Sequence, residues 1–138
     1  MEIRQISVFL ENNAGRLGEV TQVLARSGVN LRAISIADTA DFGILRLIVS
    51  DCDQAIKALK DAGFTAMITD VVAVEIEDQP GSLAKVMELF GKEQVNIEYL
   101  YASLEGNSGK AVIIFKLEDP ARGMKILMEK GISMIDKF

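Results

Sequence analysis

An α+β chain built as two copies of a β-α-β-β-α-β unit is predicted from three observations. The chain restates itself at a constant offset, each copy opens on a two-residue apolar alternation, and each then switches twice to helical spacing. With an offset of 66, Ile6, Val8 and Leu10 fall on Val72, Val74 and Ile76, Gly15 and Leu17 on Gly81 and Leu83, Val20 on Val86, and Val29-Asn30 on Val95-Asn96. Gly43 falls on Gly109 at the same offset. Past Asp53 and Asp119 the offset is read as 68, which aligns Leu59 and Gly63 with Leu127 and Gly131. Two domains follow, residues 1–70 and 71–138. A unit of this size buries little surface by itself, so the copies are expected to share one antiparallel eight-stranded sheet with all helices on one face. Thr69-Asp70-Val71 leaves little room for a flexible linker.

The elements follow in order. Ile6, Val8 and Leu10, and likewise Val72, Val74 and Ile76, alternate as one face of a strand. Asn12-Asn13-Ala14-Gly15 and Asp78-Gln79-Pro80-Gly81 are turn formers, and Leu17, Val20 and Leu24, or Leu83, Val86 and Phe90, continue at helical spacing. Gly28 ends the first helix, whereas Lys92-Glu93-Gln94 ends its counterpart without a glycine. Val29 to Asp38 and Ile44 to Ser50 form a hairpin about Asp41-Phe42-Gly43; Val95 to Glu105 and Lys110 to Leu117 do so about Gly106-Asn107-Ser108-Gly109. Asp53 and Asp119 are placed as N-caps of the second helices, Gly63 and Gly131 close them, and a last strand completes each unit. This order is the ferredoxin-like split pattern.

In the third strand Leu45, Leu47 and Val49 share one face, with Ile44 and Ile48 on the other; Ile113 and Phe115 repeat this against Val112 and Ile114. Helices cover one face only. A homodimer is therefore expected, with Ile44, Ile48, Val112 and Ile114 in its interface.

Composition narrows the function. The 138 residues are 49% hydrophobic and 25% charged, and no apolar run approaches a membrane span. The start, Met-Glu-Ile-Arg-Gln, is unlike a secretory signal, and the single Cys52 is in keeping with a reducing compartment, so a cytoplasmic location is expected. Net charge is −5, and the bases are dispersed among acids in both halves, which argues against nucleic acid as a partner. No histidine is present, so imidazole catalysis and imidazole metal ligation are excluded. The glycine loops match no nucleotide-binding motif, the carboxylates are scattered, and neither a cofactor nor a metal is expected. Cys52 lies just ahead of a helix start, where a dipole can activate a thiol, but no basic residue adjoins it and the second copy has Glu118 at the aligned position.

What recurs is Asn12-x-x-Gly15 and Asp78-x-x-Gly81 at a helix mouth, each followed fifteen residues after the glycine by Asn30 or Asn96. Free N–H groups of a first helical turn cradle a carboxylate, and an Asn or Asp oxygen accepts from an ammonium group; together they describe an α-amino acid. The same residues also serve as ordinary turn, cap and strand-start positions, and spacing does not separate the two roles.

The stretch Val8 to Leu17 with Gly28-Val29-Asn30-Leu31 resembles the ACT domain, and Glu77-Asp78-Gln79-Pro80-Gly81-Ser82-Leu83 with Val95-Asn96-Ile97 matches its D-x-P-G-x-L and V-N-I pattern more closely. The resemblance covers nearly the whole chain. It implies a non-catalytic regulatory or sensor protein that binds an amino acid or similar small metabolite at the interface of the two modules. A metabolic enzyme is the partner it suggests. Carried over by position, Asn12, Asn13 and Gly15 face a ligand with Asn96, and Asp78, Gln79 and Gly81 face one with Asn30. Ala14 departs from the proline of the pattern, so unequal occupancy of the two sites is expected. Ligand choice is expected to rest on residues such as Arg16, Arg32, Ser35, Glu98 and Tyr101. The alternatives are a small carboxylate-dependent enzyme on the same fold and a purely structural assembly module.

Overall fold

The computed structural model describes residues 2–38, 42–104 and 109–138. Two compact units result, Arg4–Thr69 and Asp70–Phe138, called here the first and second modules. In the first, β1 (Ile3–Glu11), α1 (Arg16–Arg26), β2 (Leu31–Asp38), β3 (Phe42–Val49), α2 (Cys52–Asp61) and the opening of β4 (Thr65–Glu77) follow the expected order. In the second, the end of β4 is followed by α3 (Ser82–Lys92), β5 (Ile97–Ala102), β6 (Lys110–Leu117), α4 (Pro120–Glu129) and β7 (Met134–Ile135). Among the described residues seven strands form where eight segments were expected, because Thr69-Asp70-Val71 contains neither glycine nor proline and the last strand of one copy runs straight into the first of the next. The turn residues Asp41 and Gly106-Asn107-Ser108 lie outside the described residues.

Within the first module the strand order is β2-β3-β1-β4, and within the second β7-β4-β6-β5. The pairings of β1 and β2 with β3, of β6 and β7 with β4, and of β5 with β6 are antiparallel. Ile6, Val8 and Leu10 of β1 and Leu45, Leu47 and Val49 of β3 are buried against Val20, Val23 and Leu24 of α1 and Ala55 and Leu59 of α2. Val72, Val74, Ile113, Phe115 and Leu117 pack likewise on Val86 and Phe90 of α3 and Ile126 and Leu127 of α4. There Phe90 and Phe115 meet edge to face at 5.5 Å, a geometry that adds about 0.5–1.5 kcal/mol to the area buried.

Pairing corrects the alignment of the copies. Phe9 faces Ile44 and Leu10 faces Gly43, whereas Glu75 faces Val112 and Ile76 faces Ala111. The offset is thus 66 in the first strand of each copy but already 68 in β3 and β6, so Gly43 corresponds to Ala111 rather than Gly109. The two extra residues lie in the second hairpin loop. A slip of two keeps every residue on its own face, which is why the predicted core survives the error.

Two further expectations change. The N-cap of α2 is Asp51, whose carboxylate accepts from Gln54 N at 3.0 Å, and not Asp53, which pairs instead with Arg4 at 2.8 Å. Asp119 caps α4 as expected, accepting from Arg122 N at 3.1 Å. Ile48, Val112 and Ile114 are 2%, 6% and 0% exposed in the single chain. They cannot be the interface of a homodimer.

Candidate functional site

Both recurrent loops place a glycine in the left-handed region directly before a helix. Gly15 has φ 88° and Gly81 φ 88°, and neither α1 nor α3 has a side-chain cap. An L-residue is strained in this conformation, which explains why both loops carry glycine there. In α2 and α4 an aspartate fills the same role of N-terminal acceptor. The mouths of α1 and α3 are therefore the helix starts whose first-turn N–H groups lack a side-chain acceptor.

The loop residues sit at the surface. Asn12 is exposed; Asn13 is exposed, donates from Nδ2 to the Glu11 carboxylate at 3.1 Å, and accepts from Arg16 N at 3.3 Å. Asp78 donates its N–H to Gly109 O at 2.9 Å, and Gln79 accepts from Ser82 N at 3.3 Å. Their side chains are exposed.

Asn30 and Asn96 lie at the opposite end of their own modules. The first loop follows Glu11, which pairs with Phe42 at the start of β3, while Asn30 exchanges hydrogen bonds with Ser50 beyond the end of β3, both at 2.9 Å. The 8-residue β3 puts about 24 Å between them. In the second module Glu77 pairs with Lys110 at the start of β6, and Asn96 O accepts from Glu118 N at 3.1 Å past its end. No single module brings its loop and its asparagine together. Immediately after each asparagine the ladder slips, between Leu31 and Ala33 and between Ile97 and Tyr99. Such bulges re-aim side chains, here those of Arg32 and Glu98; Glu98 takes Lys116 as its partner at 2.9 Å.

The two loops differ in what lies below them. Arg16, the first residue of α1, stacks its guanidinium 4.6 Å over the Phe64 ring and bonds Glu19 at 2.7 Å. The second module has Ser82, Ile132 and Lys85 at the corresponding positions, and a cleft of about 350 Å³ lined by these residues with Glu75, Gln79 and Lys110. Of these cleft residues only Gln79 was singled out from the sequence. The change from Glu19 to Lys85 is a readable signal, whereas Phe42 to Lys110 emerges only from the corrected register.

Other chemistry is weak. Cys52 is a half-buried free thiol at the start of α2, and burial pushes its pKa up, with Arg4 opposing. A thiol held protonated is a poor nucleophile. Its counterpart in the corrected register is Pro120, not Glu118. No group of three His, Cys, Asp or Glu that could hold a metal occurs among the described residues, and none of the described helices is long and apolar enough to cross a membrane.

A family model described as an ACT domain pair matches residues 1–137. The chain belongs to the ACT domain pair family. It is a regulatory, small-molecule-sensing module rather than a catalytic one. It is similar to protein BT0572 from Bacteroides thetaiotaomicron, at 46% identity over 98% of this chain and 92% of that one, with a TM-score of 0.92. The fold is shared with the regulatory subunit of aspartate kinase from Thermus thermophilus (18% identity, 91% and 90% covered, TM-score 0.67). It is shared also with that from Thermus flavus (19% identity, 94% and 92% covered, TM-score 0.64). A search of curated proteins gives no match.

Proposed function

We propose that this ACT domain pair senses a free amino acid or a close chemical analogue. Its α-carboxylate is held at the mouth of α1 or α3, and its ammonium group by an asparagine of another copy of the fold. The observation that carries this reading is the contrast in capping. Asp51 and Asp119 supply an acceptor to their helices, while Gly15 and Gly81 leave the N-terminal donors to a ligand anion. Asn96 is the partner of the Asn12, Asn13 and Gly15 loop, and Asn30 of the Asp78, Gln79 and Gly81 loop. The separation of loop and asparagine within each module supports recruitment of the asparagine from elsewhere. Occupancy favours one arrangement of the copies through its differential affinity, and a metabolic enzyme is the kind of partner that reads it. The resemblance in fold to regulatory subunits of aspartate kinase is in keeping with such a partner.

The experiment is a thermal-shift screen of the twenty standard amino acids, followed by calorimetry of Asn30→Ala and Asn96→Ala with the amino acid giving the largest shift. Loss of a hydrogen bond to a charged group costs about 1.5–3 kcal/mol, so at least one variant is expected to bind roughly tenfold or more weakly with its fold intact. Unchanged affinity in both variants returns the asparagines to strand-start duty. A homodimer is also proposed. Its interface must use exposed apolar residues such as Phe9 and Phe42, at 41% and 57% exposure, and light scattering at micromolar concentration tests it.

A further inference from the structure

The two modules differ most where their loops meet the interior. The cleft of about 350 Å³ in the second module lies between the first turn of α3, the end of β4 and the turn Gly131–Ser133. That volume is at the small end of ligand pockets, which suits a molecule of amino-acid size. Its charged lining is only partly self-satisfied. Lys110 is paired with Glu77, but neither the Lys85 ammonium nor the half-buried Glu75 carboxylate makes a hydrogen bond or ion pair among the described residues. In the first module Phe9 and Glu19 replace Glu75 and Lys85, and Arg16 reaches from the helix start to the Phe64 ring across the space that Ser82 and Ile132 leave open. Glu19 pairs with Nη1 of that guanidinium within the module, while the buried Nε of Arg16 has no hydrogen-bond partner among the described residues.

We infer that, of the two corresponding spaces beside the helix-mouth glycines, the one in the second module is the ligand-competent cleft. There a small zwitterion sets its carboxylate toward Lys85 and its ammonium toward Glu75, while Arg16 permanently fills the corresponding space of the first. The inference rests on the proposed amino-acid sensing and adds to it which copy is occupied and by which charges. An uncharged cleft wall would select no polarity. Lys85 and Glu75 are of opposite sign and neither is held in an ion pair, although the charge of Lys110 also acts on Glu75; they select a ligand carrying both charges and reject one from which either has been removed.

The test uses the full chain and the twenty standard amino acids. In wild type, calorimetry with the amino acid giving the largest thermal shift is expected to show one site per chain. Ser82→Arg, which places in the second cleft the side chain that fills the first, is expected to weaken binding at least tenfold. Lys85→Gln and Glu75→Gln are expected to weaken it severalfold each, with the melting temperature in the absence of amino acid unchanged. Two sites per chain, or undiminished affinity in folded Ser82→Arg and Lys85→Gln, overturns the single-cleft inference and leaves the sensor reading in place. Absence of any thermal shift across all twenty amino acids overturns the sensor reading itself.

Discussion

The first and second modules share a backbone plan but solve its interior differently. Where the second packs Phe90 against Phe115, the first has Leu24 and Leu47, and where the second leaves a cleft beside Ser82, the first lays Arg16 on Phe64. Gly123 of α4 corresponds to Ala55 of α2, and Leu117 to Val49, so one methyl has moved from helix to strand. Both cores are closed; only the allocation of volume differs. A duplicated fold conserves the positions that define its faces and frees those beneath the loops to diverge in size and charge.

The largest expected effect breaks this exchange of volume. A Cβ on Gly123 would collide with Leu117 Cδ1, and Leu117 is fully buried. Gly123→Ala should therefore lose about 1–3 kcal/mol in urea unfolding despite the better helix propensity of alanine. Adding Leu117→Val recreates the pairing of the first module and should restore most of the loss. A double variant no more stable than the single one would show that the two modules do not trade volume in this way.

The capping contrast predicts an effect of about 1 kcal/mol. Asp51→Ala and Asp119→Ala should each destabilise the chain by that amount, while Asp78→Ala, at a helix mouth whose cap is glycine, should change stability by less than about 0.5 kcal/mol. A loss at Asp78 equal to that at Asp51 would make Asp78 a structural residue rather than a ligand contact.

A gain sharpens the comparison from the other side. Gln94 adopts φ 54° after α3, where the first module has Gly28 at φ 70°. Gln94→Gly should stabilise the chain by up to about 1 kcal/mol by relieving the left-handed strain, measured by the same unfolding curves. Arg122, which donates to the carbonyls of Glu93 and Gln94, holds this turn as Gln54 holds Ser27 O in the first module.

The smallest effect concerns Cys52, which has proline as its counterpart. Burial raises the folded thiol above its ordinary value of 9.0, so the unfolded chain ionises first. Its contribution to stability is fully present below pH 9.0 and declines as pH rises from there through the folded pKa. Cys52→Ala should flatten the part of the alkaline loss of stability that wild type shows above pH 9.0 in parallel unfolding curves, and wild-type Cys52 should alkylate more slowly than an unburied thiol at equal pH.

Much of this molecule was legible in the chain itself. The alternation of Ile6, Val8 and Leu10, the helical spacing of Val20 and Leu24, and the glycines at 15, 63, 81 and 131 are local signals. A strand face, a helix stripe and a positive φ each need only neighbouring residues to declare themselves. Non-local choices were not legible in the same way. Asp51 and Asp53 are both plausible caps until the first turn of α2 selects Asp51 and leaves Asp53 to Arg4. The burial of Ile48, Val112 and Ile114 depends on what covers a sheet face, which period-two alternation does not encode. The distance separating Asn30 from its own loop follows from antiparallel pairing of β3. The filled and open clefts follow from side chains fifty residues apart, Arg16 with Phe64 and Ser82 with Ile132, meeting across a core. The sequence alone settled the periodic elements and the duplication, because those are properties of short windows. Tertiary structure decided caps, register and clefts, because each depends on which distant residue arrives at the same place.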